Sequence, residues 1–295
     1  MNKYVIITDT ASDLSKEYRD ANKVDYAKTM YSYNENGQLF EYGASLDWEG
    51  LSEKDFYNLL RKGVRIFTAQ VTIQNYLDTF TPHLEKGEDI LYIGCSSGLS
   101  ASVNTARMLV EGELKERFPD CKIVIVDSLR AGMAQGLVVM LAVDLMNQGK
   151  SIEENAAILK QEKRSFKEVG IPETLSYLRR AGRVSAPAAY FGNIISLKPI
   201  LVFDEKGGNV AKEKAIGKRK AFIRMAEMIR DDIVEPEKQV IYLMNADCTS
   251  KDVETFKNAI LERVNVKDIK VQTLGPVIGA SSGPGTIIAN YKGKQ

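Results

Sequence analysis

The chain has 295 residues, 44% of them hydrophobic, so it is long enough to bury a sizeable core and to divide into two domains. Its 40 Lys and Arg residues nearly balance 39 Asp and Glu residues, and a formal net charge of +1 gives no global field that would favour nucleic acid or an anionic membrane. The longest apolar run, residues 136–143, falls far short of the roughly 20 residues that span a bilayer, which excludes a membrane-spanning helix there.

The N-terminus runs directly into a strand-like stretch without a leader, which predicts no signal peptide and a cytoplasmic location. The apolar and helical patterns of residues 1–160 then alternate as in a parallel sheet with crossover helices, so we expect a doubly wound, mostly parallel α/β domain here. A turn sequence at residues 34–37 predicts an inserted hairpin. The predicted strands are Tyr4–Thr8, Val24–Tyr33, Gln38–Tyr42, Asp89–Gly94 and Lys122–Asp127, and the predicted helices are Thr72–Leu84 and Ser100–Arg117, with Thr72 and Ser100 as N-caps.

The order of elements changes after about residue 160, and we assign residues 161–295 to a second α/β domain with a mixed sheet. A Gly-Gly turn between two apolar runs predicts a hairpin, which a parallel sheet would not contain. The predicted elements are the hairpin strands Pro199–Phe203 and Asn209–Ala215, the helix Ala221–Ile233, the strand Val240–Asn245, the helix Asp252–Leu261 and the strand Ile269–Leu274.

Two predicted strand-to-helix turns carry hydroxyl groups. The first places Thr68 before a helix, and the second places Ser96, Ser97 and Ser100 before the next one. Free amides and the positive dipole end of a helix favour a carboxylate or phosphate at such a turn. Because turns at the carboxyl ends of parallel strands share one edge, we expect Thr68 and Ser96 to face one crevice. The alternative is that Ser100 only caps its helix and Gly98 makes the turn.

Residues 94–98 also satisfy the G-x-S-x-G pattern of a hydrolase nucleophile, Ser96. The one histidine, His83, precedes Ser96, so the order serine, acid, histidine is impossible. A serine hydrolase with a lysine base, or a phosphotransferase that uses Asp9, is kept as the alternative function. Asp13, in the same D-T-A-S-D segment as Asp9, is expected to be an N-cap. We expect no metal and no cofactor, and the three widely spaced cysteines predict neither a disulfide framework nor a zinc site.

Two further segments suggest binding surfaces. Residues 275–285 contain four glycines and two prolines, which predicts open backbone amides beside a ligand, although a plain tight turn is equally consistent. Residues 175–185 form a helical pattern that ends in a cationic turn with Arg179, Arg180 and Arg183. These arginines are either a docking surface or a complement to the helix dipole, with Gly182 as the residue after the helix.

Taken in order, these segments resemble the DegV family over essentially the whole chain. The resemblance rests on I-I-T-D-T-A-S-D-L, F-T-A-Q-V-T, S-S-G-L-S, D-S-L-R-A-G-M-A-Q-G, L-R-R-A-G-R-V-S, L-K-P-I-L and G-P-V-I-G-A-S-S-G-P-G. It implies a two-domain α/β protein that buries one long-chain fatty acid, with the second domain closing the pocket. It also implies a carrier, not an enzyme, that presents the carboxyl group to a separate fatty acid kinase and has only transient contact with membranes.

The same resemblance assigns roles to residues. It implies that the fatty acid carboxylate is bound by Thr68, Ser96, Ser97, Gly279, Ala280 and Ser281, with Thr72 and Ser100 in a secondary pocket. Arg183 and Arg179 are implied to contact the kinase. The chain departs from the family pattern in having Ser281 where a histidine is usual, S-S-G-L-S-A-S instead of S-S-G-L-S-G-T, and T-A-Q instead of T-S-Q. These departures predict a remodelled headgroup pocket and affect kinase coupling more than lipid binding.

Overall fold

The computed structural model describes residues 4–184 and 196–295. The strands are β1 (Tyr4–Asp9), β2 (Asp25–Ala27), β3 (Thr29–Glu35), β4 (Gln38–Ala44), β5 (Ile66–Ala69), β6 (Asp89–Gly94), β7 (Ile123–Asp127), β8 (Phe166–Ile171), β9 (Leu197–Phe203), β10 (Asn209–Ile216), β11 (Val240–Asn245), β12 (Asp268–Thr273) and β13 (Ile287–Lys292). The helices are α1 (Lys16–Asn22), α2 (Glu53–Arg61), α3 (Ile73–Leu84), α4 (Ser102–Leu109), α5 (Lys115–Arg117), α6 (Gly132–Asn147), α7 (Ile152–Glu162), α8 (Ser176–Ala181), α9 (Lys218–Asp232), α10 (Ser250–Leu261) and α11 (Pro276–Ser282).

A four-stranded parallel sheet in the order β2-β1-β6-β7 forms the centre of the first half. β1 and β6 are almost fully buried along their length, as expected for parallel strands covered by helices on both faces. The strands predicted to begin near residues 4, 89 and 122 are therefore confirmed, and so is the α/β fold class.

The predicted hairpin at residues 34–37 is confirmed, but it belongs to a separate antiparallel sheet in the order β4-β3-β5. Asn36 and Gly37 adopt φ angles of 53° and 84°, the left-handed conformation that this turn requires. β5, which carries Thr68, pairs only with β3. The prediction that Thr68 follows a strand of the parallel sheet is therefore wrong. β5 is a short strand with alternating burial, typical of an antiparallel edge and not of a fully buried parallel strand.

The third sheet has six strands in the order β10-β9-β8-β13-β11-β12, and it is mixed, because only β11 and β12 run parallel. The predicted hairpin of β9 and β10, the helices α9 and α10 and the strands β11 and β12 are all present near their predicted bounds. The sequence did not predict the two central strands, β8 and β13. All strands of this sheet lie within residues 166–292, whereas those of the other two lie within residues 4–127.

α6 connects the two halves of the molecule. It contains the longest apolar run of the sequence and contacts β1 and β6 on one side and β8 and β13 on the other. A helix that packs between two sheets is apolar on all sides, which explains why no amphipathic pattern marks it. In the described part of the chain, no helix is long and apolar enough to cross a membrane.

Of the three predicted helix caps, one is confirmed and two differ from the structure. Thr72 caps α3 as predicted, with its hydroxyl accepting the Asn75 amide at 3.1 Å. Ser100 is not the N-cap of α4, which begins at Ser102 after an uncapped residue. Asp13 caps no helix that follows it; it has a left-handed φ of 52° and accepts the Gly275 amide at 3.1 Å, far along the chain. Local spacing alone could not reveal this partner.

Candidate ligand-binding cavity

A narrow cavity lies where the three sheets meet. Measured as the space open to the centre of a water molecule, its volume is about 100 Å³. Its wall is formed by β5, the segment after β6, the start of α6, the inner strands of the third sheet, and α11. The wall is mostly apolar, as in sites for small apolar ligands. Large apolar side chains on it include Leu99, Leu178, Leu201, Phe203, Ile278 and Ile288.

The mouth of the cavity is marked by Thr68, Arg183 and Ser281, which line both the cavity and an adjoining surface recess. Two further arginines, Arg65 and Arg180, line that recess. The Thr68 hydroxyl has no hydrogen-bond partner within residues 4–184 and 196–295, so it is free for a ligand. The Ser281 hydroxyl donates to the Val277 carbonyl in its own helix at 3.0 Å, which leaves its oxygen free to accept.

Arg183 lies at this mouth because α8 ends at Gly182, which adopts the predicted left-handed conformation with φ of 68°. Its Nε donates to the Leu99 carbonyl at 3.0 Å, and this bond ties the residue to the wall of the cavity. Arg179 lies one turn earlier in α8 and lines neither the cavity nor the recess. Ser185, the last residue of the predicted cationic motif, lies outside the described residues.

Ser96 and Ser97 are not part of the cavity wall, although Cys95, Leu99 and Ser100 from the same segment are. Ser96 is fully buried, and its hydroxyl donates to the Gly207 carbonyl at 2.8 Å and accepts the Gly98 amide at 3.1 Å. The Ser97 amide donates to Asp127 at 3.2 Å, and its side chain is exposed. The crevice in which the sequence placed Ser96 beside Thr68 is therefore not observed. Through its bond to Gly207, Ser96 instead connects the turn between β9 and β10 to the segment that follows β6.

The glycine-rich segment forms α11, which commits the Gly279 amide that was predicted to be open. The Gly279 amide donates to the Gly275 carbonyl at 2.8 Å within the helix. A Cβ at Gly279 would lie 2.4 Å from the Tyr57 hydroxyl oxygen, so this glycine permits close packing of α11 on α2. Ala280 lines the outer recess but not the cavity. Ser100 lines the cavity and shares a hydrogen bond of 2.9 Å with Ser102, whereas Thr72 lies outside it.

Glu168, on β8, lines the cavity and also an adjoining charged cleft. Its carboxyl group has no hydrogen bond or ion pair among the described residues. Burial raises the pKa of Glu168 to about 8, with Arg130 opposing the shift and Asp13 adding to it. The sequence analysis missed this residue because it did not predict β8. The signal was the pattern F-K-E-V-G-I, in which a strand places Glu168 on the same face as Phe166 and Gly170.

Arg130 does not neutralise Glu168 directly. Its guanidinium donates to the carbonyls of Leu129 at 2.7 Å and Arg164 at 2.8 Å, and also to that of Phe166. All three guanidinium nitrogens are therefore committed to the backbone.

The residues of the alternative enzymatic functions are fully engaged. Asp9 is buried and accepts hydrogen bonds from the Ala11 and Cys95 amides, the Tyr92 hydroxyl and the Gln135 amide, all at 2.9–3.0 Å. Burial raises the pKa of Asp9, and these four donors oppose the shift. His83 lies beside Glu88 at 2.7 Å and Asp25 at 3.4 Å, and neither contact involves Ser96. No group of three or more His, Cys, Asp or Glu residues in the described ranges is arranged to hold a metal ion.

Comparison with known proteins identifies a family and solved structures of the same fold. The family model described as "Uncharacterised protein, DegV family" matches residues 3–290. A DegV domain-containing protein of Clostridium perfringens is 34% identical over 99% of this chain and 98% of its own length. A DegV family protein from Thermus thermophilus, described for its fatty acid binding, is 24% identical with a TM-score of 0.84, covering 98% of this chain and 99% of its own. One from Ruminococcus gnavus, refined with vaccenic acid, is 18% identical with a TM-score of 0.84, covering 98% and 100%.

Proposed function

Because the chain belongs to the DegV family, we propose that it binds one long-chain fatty acid, with the acyl chain in the cavity and the carboxylate at the mouth beside Thr68 and Ser281. The observation that carries this proposal is the contrast between the wall of the cavity and its mouth. Most of the wall is apolar, whereas a free hydroxyl and a guanidinium border the mouth, where the cavity meets the arginine-lined recess. A fatty acid has the same division between an apolar tail and an anionic head.

The acyl chain supplies most of the binding free energy. Burial contributes roughly 0.8 kcal/mol per methylene, so about 14 methylenes supply on the order of 10 kcal/mol before the costs of association are subtracted. Removing the carboxylate from water at the mouth is unfavourable unless hydrogen-bond donors of the protein replace its hydration. The Thr68 hydroxyl and the Arg183 guanidinium are suited to that role, because hydrogen bonds to a charged acceptor are the strong ones.

Electrostatics favours this orientation over the reverse. Glu168, which does not border the recess, has no cation within ion-pair distance among the described residues, so a ligand carboxylate placed beside it would meet an acidic side chain. At the mouth, Arg65, Arg180 and Arg183 provide three positive charges. We therefore place the carboxylate beside Thr68, with Ser100 and Ser281 as its other polar neighbours.

The remaining headgroup residues act, in this proposal, through the shape of the site. Ser96 holds the turn at Gly207, Gly279 allows α11 to pack on α2, and Ala280 lines the outer recess. Ser97 and Thr72 lie beyond the cavity, so we assign them no direct contact with the ligand.

We further propose that the chain presents the carboxylate to a separate fatty acid kinase and is itself the non-catalytic subunit. The arginine-lined recess adjoins the mouth, so a phosphoryl donor brought by a partner would meet positive charge there. Arg183 borders both the cavity and the recess, so we expect it to link fatty acid binding to the kinase. Arg179 lies on α8, the short helix that precedes Arg183, and we expect it to extend the cationic surface. Among the described residues, Ser96 and Asp9 have no free reactive atom, which argues against the enzymatic alternatives.

Native mass spectrometry of the purified protein before and after organic extraction tests the central proposal. We expect a single adduct with the mass of a fatty acid, lost on extraction and restored by added stearic acid at a ratio of one to one. A protein that carries no adduct and takes up no stearic acid would contradict it. Kinase coupling is tested separately, by mixing the loaded protein with a fatty acid kinase and ATP and measuring acyl phosphate for the wild type and Arg183→Ala.

A further inference from the structure

The wall of the cavity contains polar atoms that a plain acyl chain cannot satisfy. Glu168 faces the cavity without a hydrogen bond, and the Thr29 hydroxyl oxygen and the Asn209 side-chain oxygen, both on lining residues, are buried without a partner among the described residues. A buried polar group without a hydrogen bond destabilises a folded protein, which applies to Thr29 and Asn209, whereas the Glu168 carboxyl group is partly accessible from the cavity and the charged cleft. A ligand that supplies the missing partner would remove this cost.

Glu168 is placed there by the register of the third sheet. It pairs with Asn290 of β13, and alternation along β8 turns it to the same side as Phe166 and Gly170. Gly170 also lines the cavity, and Ile288 of the neighbouring strand packs where its Cβ would lie. Arg130, whose charge acts on Glu168, donates to three backbone carbonyls and makes no hydrogen bond to Glu168. The carboxyl group therefore faces the cavity without a hydrogen-bond partner among the described residues.

Glu168 does not border the mouth. Thr68, Arg183 and Ser281 border the arginine-lined recess, whereas Glu168 and Phe203 border the charged cleft, and the recess and the cleft share no lining residue. A ligand whose carboxylate is at the mouth therefore reaches Glu168 with a distal part of its acyl chain. The partner group must accordingly lie far from the carboxyl carbon.

From this geometry we infer that the ligand class includes fatty acids with a distal hydroxyl group, which hydrogen-bonds to Glu168 within the cavity. A hydroxyl group fits this position because it donates to an ionised carboxylate and accepts from a protonated one. An ammonium group would require the ionised form, which burial disfavours, since the pKa of Glu168 is raised to about 8. This inference rests on the proposed function and specifies its ligand.

Binding of a series of C18 acids to the delipidated protein tests the inference, with each acid competing against a fluorescent fatty acid. The series is stearic acid and its 2-, 10-, 12- and 18-hydroxy derivatives. One buried hydrogen bond corresponds to about a tenfold change in the dissociation constant, so at least one distal hydroxy acid is expected to bind about tenfold more tightly than stearic acid. The 2-hydroxy acid, with its hydroxyl group beside the carboxylate, is expected to show no such gain.

Three variants assign the effect to its residue. Glu168→Leu is expected to abolish the preference and to bind stearic acid at least as tightly as the wild type. Glu168→Gln keeps hydrogen-bonding groups and is expected to retain most of the preference. Glu205→Leu is the matched control, because Glu205 lines the charged cleft but not the cavity, and it is expected to behave as the wild type.

The outcomes separate the inference from the proposed function. Tight binding of stearic acid with no gain for any distal hydroxy acid would overturn the inference alone, as expected if a water molecule already satisfies Glu168. A preference that persists in Glu168→Leu would also overturn it. Failure of the wild type to bind any of the five acids would overturn both. The wild-type comparison stands even if Glu168→Leu does not fold.

Discussion

Replacing Thr68 with valine tests whether a single hydroxyl group at the mouth of the cavity orients the ligand. Valine keeps the β-branched shape that suits strand β5, so the substitution removes the hydroxyl group and little else. A hydrogen bond to a charged group contributes about 1.5–3 kcal/mol when buried. Thr68 is only half-buried, so we expect a value at or slightly below the lower end of that range, about 1–2 kcal/mol, which weakens fatty acid binding by roughly 5- to 30-fold.

The assay is displacement of a fluorescent fatty acid, with stearic acid and stearyl alcohol compared as competitors. Because the alcohol lacks the carboxylate, Thr68→Val should weaken the acid much more than the alcohol. Thr72→Val is the matched control. It removes a hydroxyl group that caps α3 outside the cavity, so it should cost about 1 kcal/mol of stability and leave affinity unchanged. Equal affinity of wild type and Thr68→Val for stearic acid would refute the placement of the carboxylate.

Three further predictions concern the stability of the folded protein. Ser96→Ala removes a buried hydrogen bond to Gly207, so it should lower the free energy of unfolding by about 1–2 kcal/mol in urea titrations. Ser97→Ala changes an exposed neighbour and should alter the free energy of unfolding by less than about 0.5 kcal/mol. Equal effects of the two substitutions would contradict the bridging role of Ser96. Gly207→Ala places a Cβ 2.1 Å from the Ser96 hydroxyl oxygen at a φ of 78°, so its melting temperature should fall further than that of Ser96→Ala. Burial raises the pKa of both Asp13 and Glu168 to about 8, so the folded state holds protons that the unfolded chain has released. The free energy of unfolding should therefore decrease from about pH 4.5 to pH 8. Glu168→Gln should lose part of this dependence, so its free energy of unfolding should differ less between urea titrations at pH 5.5 and 8 than that of the wild type.

The sequence alone determined the features that depend on neighbours along the chain. Local patterning or the conformational preference of one residue accounts for the strands β1, β6 and β7, the turn at Asn36 and Gly37 and the cap at Thr72. The family motifs also located Thr68, Ser281 and Arg183, which the structure brings together at the mouth of the cavity. In these cases the determining interaction spans a few residues, so spacing carries the information.

Tertiary structure alone decided the rest, because the determining partner lies far away in the chain. Ser96 bonds to Gly207 across 111 positions, and Asp13 bonds to Gly275 across 262, so no local pattern could distinguish these roles from a ligand site or a helix cap. β5 joins the hairpin sheet because β3 offers it an edge, and β8 lies at the centre of a sheet whose strands come from the end of the chain. Sheet pairing is fixed by which distant strands can bury each other's faces, and that choice is what places Glu168 inside the cavity.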